Sequence, residues 1–465
     1  MNAVASFAKT ALVLVGLWGV LAIVGLVGGV VPLGGAPPAA APADAGVADA
    51  SVPTDAGAEP DAGTSVVDAA TIAPIALSPA LPRARVCPEP ALAPSLAVVD
   101  VLGSPTPEIV IGCGASWEIV GRAGDGRWMR VAHVNAPPTA DRSPLAAAAR
   151  AIDADADGDL DTWLPFARIG AGGATAGGGV FVLTRGQSGA LEAPRSLAPI
   201  AAVALEPIVL GSGAGVVALD RGSPLARAPS EAWVFALGAS PSRVAAPHAG
   251  TNATGLGVVD IDRDGKLDVI VASGDDSRID LLYGDEPARF ARSRTLSAPG
   301  ASEVVIGDLD GDGAPDALIV GATVSRLLAR PGQDPSLVAI DGAPADLRDA
   351  AIADVDRDGH ADVVGWSHPR LVVLAGRADA TFETRTVIEL APGEIGPRRH
   401  ALADLDGDGA PEIVLLAVSQ DGATRMLDLV IVPASERGAI RTEPAAPLPD
   451  APLVLTIDLP DPNAP

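Results

Sequence analysis

The chain has 465 residues, 48% hydrophobic and only 3% aromatic, and its 58 acidic side chains against 32 Lys and Arg leave a net charge of −26. A surplus of that size excludes a partner held by its phosphates, so no nucleic-acid partner is expected. The length suffices for one large core.

Residues 1–10 carry Lys9, and residues 11–33 then run without a charge as ALVLVGLWGVLAIVGLVGGVVPL. Such a stretch can cross a bilayer as a helix, and it is longer than the usual signal-peptide core of about 7–15 residues. No Lys or Arg follows before Arg83, so the positive-inside rule predicts a short cytoplasmic tail over 1–10, a transmembrane signal-anchor over 11–33 and export of the rest. The alternative is a cleaved signal peptide and a secreted chain. Residues 34–84 repeat ADAG, TDAG and PDAG with almost no large apolar residue before Ile72, which predicts a disordered Ala/Pro/Asp-rich linker. Next come the two cysteines, Cys87 and Cys113. In an oxidising compartment a disulfide would pin the incoming chain to the first repeat unit; two buried thiols are the alternative.

Five nine-residue segments then share one skeleton: DADADGDLD (153–161), DIDRDGKLD (260–268), DLDGDGAPD (308–316), DVDRDGHAD (354–362) and DLDGDGAPE (404–412). Together they hold 21 of the 58 acidic residues. Like charges this close repel, and a hard cation explains why they are assembled. Carboxylates at positions 1, 3 and 5 can turn inward, glycine at position 6 allows the sharp turn, and the acid at position 9 can close the shell. Position 7 varies freely in side chain and can lend its backbone carbonyl. The candidate ligands are therefore Asp153, Asp155, Asp157, Asp159 and Asp161; Asp260, Asp262, Asp264, Lys266 and Asp268; Asp308, Asp310, Asp312, Ala314 and Asp316; Asp354, Asp356, Asp358, His360 and Asp362; and Asp404, Asp406, Asp408, Ala410 and Glu412. Calcium, with six to eight oxygen ligands and tolerance of irregular geometry, fits best, and about five ions are expected.

An EF-hand would need an acid at position 12, where this chain has Leu164, Val271, Ile319, Gly365 and Leu415. The flanks, such as GLGVV before and DVIVASG after, read as buried strands. First aspartates at 260, 308, 354 and 404 are 48, 46 and 50 residues apart, whereas 153 to 260 is 107, about two such steps. A unit near 207 has therefore lost its ladder, and EPIVLGSG (206–213) is read as the strand after the missing loop. DVLGSPTPEIVIG (100–112) keeps Asp100 and Glu108 at positions 1 and 9 but has Leu102 and Ser104 at 3 and 5, so it is assigned no metal. Seven units of about fifty residues, each with several short strands, predict propeller blades closing a ring over 85–460. The expected class is all-β, a seven-bladed β-propeller with calcium-binding loops, preceded by the transmembrane helix and linker.

VVIGDLDGDGAPDALIVGAT (304–323), with LLYGDEPARF (281–290) and VVLAGRADATF (372–382), resembles the FG-GAP/VCBS repeats of integrin α-subunit-like propellers. The resemblance runs over roughly 92–445 and is strongest from 255 to 420. It implies that the calcium is structural and that recognition uses variable loops elsewhere. The expected protein is thus a membrane-anchored binding or adhesion-like module on the periplasmic or cell-surface side, with a protein or glycan ligand.

His133, His248, His360, His368 and His400 fall in no GxSxG, HExxH or P-loop motif and are expected on the surface or rim, so no catalytic residue is assigned. The alternative is an extracytoplasmic hydrolase or lyase whose site is built from blade-connecting loops such as GAGGATAGGG (170–179). A cleft joining a histidine to two acids outside the ladders would favour it. Trp117, Trp128, Trp163, Trp233 and Trp366 are read as core or blade-contact residues rather than sugar platforms.

Overall fold

Runs such as Asp268–Ser273 and Asp316–Val320 are buried along their whole length, without the alternation of a half-exposed strand, because both faces of each sheet are covered. The computed structural model describes residues 81–461 except 91–93, 138–142, 156, 171–174, 187–190, 211–212, 224–227, 239–241, 286–288, 332–334, 369, 391–394, 434–437 and 441–445. The expected tail, membrane segment and nearly all of the linker lie outside the described residues. Among the described residues no helix is long and apolar enough to cross a membrane.

The strands form seven sheets, antiparallel but for an added outer strand in three of them, arranged as a seven-bladed propeller. Blade 4 shows the plan: Gly255–Val259, Asp268–Ser273, Arg278–Tyr283 and Arg292–Ser297 pair in sequence order, with Val259 opposite Asp268. The first strands of neighbouring blades contact one another, which places them around the axis. Side chains alternate along each strand between the two adjacent blades. Val269 and Val271 thus pack toward blade 3, while Ile270 packs toward blade 5. Val363 and Val364 divide likewise between blades 5 and 7. One large apolar cluster fills each interface, so a single blade has no core of its own.

Closure comes from the two ends of the chain. Arg83–Pro88 is the fourth strand of blade 7, pairing antiparallel with Thr424–Val432, and it starts two residues ahead of the expected boundary at 85. Inside this seam Arg83 Nε donates to the fully buried Asp428 at 2.7 Å. Cys87 and Cys113 are disulfide-bonded, Cα to Cα 6.3 Å, tying blade 7 to blade 1. The chain after blade 7 adds outer parallel strands to three blades: Gly438–Ile440 on blade 6, Ala446–Pro447 on blade 7 and Asp450–Asp458 on blade 1.

Two expectations need correction. EPIVLGSG does not follow a missing loop: residues 206–210 end the first strand of blade 3, Ala202–Leu210, and Gly213 opposite Leu210 already begins the second. Only two residues separate the strands there, so the first strand runs on where the other blades have a ladder. The Gly-rich 170–179 is not all loop either, since Thr175–Leu183 is a strand of blade 2.

Candidate functional site

Each aspartate ladder joins the first strand of its blade to the second, so the five loops lie at the same end of the first strands. In all five, position 6 takes up the left-handed conformation, Gly158, Gly265, Gly313, Gly359 and Gly409 having φ of 97, 86, 83, 88 and 83°. Only glycine adopts this without strain. The turn aims each glycine N–H at the position-1 carboxylate, at 3.2, 2.8, 2.8, 2.9 and 2.9 Å. The position-9 acid is buried and brackets the loop. One oxygen accepts the position-2 N–H of Ala154, Ile261, Leu309, Val355 or Leu405 at 2.7–3.1 Å. In four of the loops the other oxygen accepts the N–H of Arg185, Gly284, Ala329 or Gly376, at or just past the end of the third strand.

These constraints bring the acids of positions 1, 3 and 9 together. In Asp153/Asp155/Asp161, Asp260/Asp262/Asp268, Asp308/Asp310/Asp316, Asp354/Asp356/Asp362 and Asp404/Asp406/Glu412, one oxygen from each residue lies within 4.8 Å of the others. Burial, reinforced by the neighbouring carboxylates, pushes Asp268 and Asp316 up to about 7 and Asp362 to about 6 despite the bracketing N–H groups. Asp161 and Glu412 are raised for the same reasons. The position-5 acids Asp157, Asp264, Asp312, Asp358 and Asp408 flank these triads, and each accepts through one oxygen the N–H of position 7, namely Asp159, Lys266, Ala314, His360 or Ala410, at 2.7–3.0 Å.

Arginines complete the face, and they were not foreseen from the ladders. Arg263, at position 4 of blade 4, reaches Asp312 of blade 5 at 2.5 Å, and Arg357 of blade 6 reaches Asp408 of blade 7 at 3.0 Å. Arg292 pairs with Asp262 and Arg330 with Asp310. The legible signal was alternation at position 4, where each reaching arginine precedes a loop with glycine, Gly311 or Gly407. In the ladderless loop of blade 1, Glu108 accepts the N–H of Val101 and Leu102 at 2.8 and 3.1 Å, and Arg185 lies 3.3 Å from Asp100. That loop keeps the bracket without the triad.

A second feature lies at the other end of the first strands. A cavity of about 960 Å³ is lined by Glu303, Arg348, Asp349, Trp366 and Arg399, among others. Glu303 opens the first strand of blade 5 and accepts the N–H of Asp349 and Ala350 at 2.8 and 3.0 Å. Asp349 accepts from Arg399 Nη1 at 2.8 Å and lies 3.1 Å from His400 Nδ1. Burial alone would raise the Asp349 carboxyl, but the Arg399 and His400 charges and hydrogen bonds hold it at about 2. His400 corrects the expectation of five surface or rim histidines: it is 6% exposed and stands edge-on to Trp366, ring centroids 6.2 Å apart. Elsewhere His133 Nδ1 is 2.7 Å from Glu118 and His248 Nδ1 3.1 Å from Glu231.

Residues 260–319 and 354–415 match the family model described as FG-GAP-like repeat. No curated protein matches the sequence. Similar solved structures include BBS1N in complex with ARL6DN (10% identity, 76% of this chain and 97% of that one, TM-score 0.47). The Dos1 propeller is similar at 13% identity over 75% and 81% of the chains, with a TM-score of 0.45. An Agrocybe aegerita lectin that recognises non-reducing terminal N-acetylglucosamine is similar at 15% identity over 74% and 81%, with a TM-score of 0.34. Likeness at this level says nothing about what this chain binds.

Proposed function

We propose that this FG-GAP repeat propeller is a calcium-stabilised, non-enzymatic binding or adhesion-like module, anchored in the membrane by residues 11–33 and held on the extracytoplasmic side by the 34–84 linker. The observation that carries the reading is the fivefold recurrence of a carboxylate triad held within 4.8 Å, one member of it buried. Three carboxylates at that spacing are costly without a cation, and oxygen-only donors suit a hard ion. The acids of positions 1, 3 and 9 would hold it. The ion would supply two positive charges per loop, relieving part of the net charge of −26. The position-5 acids, each holding its position-7 N–H through one oxygen, and the position-7 carbonyls would complete the shell. The Cys87–Cys113 disulfide is in keeping with an oxidising compartment. Metal analysis of the purified chain after dialysis in calcium should find about five ions, and one or none would overturn the reading.

A hydrolase or lyase is the second reading, and one observation favours it. Asp349 and Glu303, neither of them in a ladder, line a cavity with His400 on Asp349. The His400 side chain is fully buried, however, so it would orient Asp349 rather than meet a substrate.

A further inference from the structure

We propose that the cavity opposite the ladders is a binding site for a small molecule bearing a single carboxylate, held by the guanidinium groups of Arg348 and Arg399 beside Trp366. This goes beyond the calcium reading and does not depend on it.

The backbone is shaped toward the cavity. Asp349 has φ of 54°, the left-handed region, and sits where the register between Arg348–Ala353 and Asp362–Ser367 slips. Register also slips twice in Ile395–Ala403, the second time immediately before Arg399. Bulges re-aim side chains, and a non-glycine residue held at positive φ costs stability that the surroundings must supply. Two adjacent first strands are thus distorted at the residues that line one cavity.

The hydrogen bonds left over define the ligand. The acceptors are largely committed: both oxygens of Glu303 take main-chain N–H groups, and both of Asp349 are held by Arg399 and His400. Donors remain. Arg399 spends Nε on the Pro94 carbonyl at 2.9 Å and Nη1 on Asp349, leaving Nη2 among the described residues. Among the described residues Arg348 makes one bond, from Nε to the Asp346 carbonyl at 3.3 Å, leaving both terminal nitrogens. Trp366 is 6% exposed, and its indole Nε1 is buried without a partner among the described residues. With the Glu303 and Asp349 oxygens spent and guanidinium donors to spare, this part of the wall suits a ligand that accepts, and the guanidinium fork matches a carboxylate. Four carboxylates, Glu89, Glu303, Asp346 and Asp349, stand around the cavity with three guanidiniums, Arg348, Arg399 and Arg425, so each further negative charge on a ligand adds repulsion and a monoanion is favoured over a dianion such as phosphate. The volume of about 960 Å³ leaves room for a small molecule.

The test is titration of the full chain, in calcium, with glucuronate, N-acetylalanine and inorganic phosphate, followed by isothermal calorimetry. A carboxylate on a sugar and one on a peptide are thereby separated. The expected result is binding of at least one carboxylate at up to millimolar concentration, weakened about tenfold or more by Arg348→Met and partly restored by Arg348→Lys. Arg348 is exposed, so these variants are expected to fold. Failure of both carboxylates to bind, tighter binding of phosphate, or parental affinity in Arg348→Met would each overturn the proposal.

Discussion

Replacing Asp310 by alanine removes the position-3 oxygen from the blade 5 triad while leaving Asp308 and Asp316 in place. If the triad holds calcium, loss of one site forfeits RT ln(1 + [Ca]/Kd), about 2.7 kcal/mol at a hundredfold excess over Kd. For blades spanning residues 81–461, an unfolding entropy near 2.1 cal/mol/K per residue turns that into a fall in Tm of about 3 °C. The metal-free state responds differently. There the substitution relieves repulsion on Asp308 and Asp316 but takes a partner from Arg330, which also lies 3.4 Å from Asp312. These terms oppose one another, so Tm in chelator should change little. The assay is a pair of calorimetric scans, in calcium and in chelator, with ion stoichiometry measured on the same samples. Asp100→Ala is the control, since its loop has Leu102 at position 3 and should lose no ion. An Asp310→Ala protein that keeps every ion, or melts like its parent in calcium, would refute the triad as a metal site.

Breaking the disulfide with Cys87→Ala and Cys113→Ala should cost about 3.5 kcal/mol, the chain-entropy value for a 26-residue separation, and thermal unfolding of the oxidised parent against the double variant will read it. Asp349 has its carboxyl lowered to about 2 from 3.8, so its stabilisation is present above about pH 4 and is lost as pH falls through 2. Asp349→Asn should therefore cost about 2 kcal/mol at neutral pH, with the gap to the parent closing over that acid range in denaturant titrations; a gap that does not depend on pH would sink the assignment. Alkaline phosphatase, which folds only in an oxidising compartment, should be active when fused after Ala62, and a stable but inactive fusion would reverse the proposed orientation.

Repetition made much of this protein legible in the sequence. Seven units, several short strands in each, and loops with glycine at position 6 all follow from local patterns whose spacing sets the geometry. Blade 3 was misread because its missing ladder left no landmark, and EPIVLGSG is as apolar as a strand on either side of a loop. Other features depend on residues far apart in the chain, about which local pattern is silent. Arg83–Pro88 completes blade 7 by pairing with strand 424–432, and the 450–458 strand returns to blade 1. Arg263 and Arg357 read as loop residues until the next blade brings Asp312 and Asp408 within reach. His400 looks like any strand histidine until Asp349, about fifty residues earlier, meets it across the neighbouring blade. Side-chain period and loop spacing are properties of one segment and survive in the linear chain; the partners of a charge and the shape of a cavity exist only once blades from different parts of the chain are packed around a common axis.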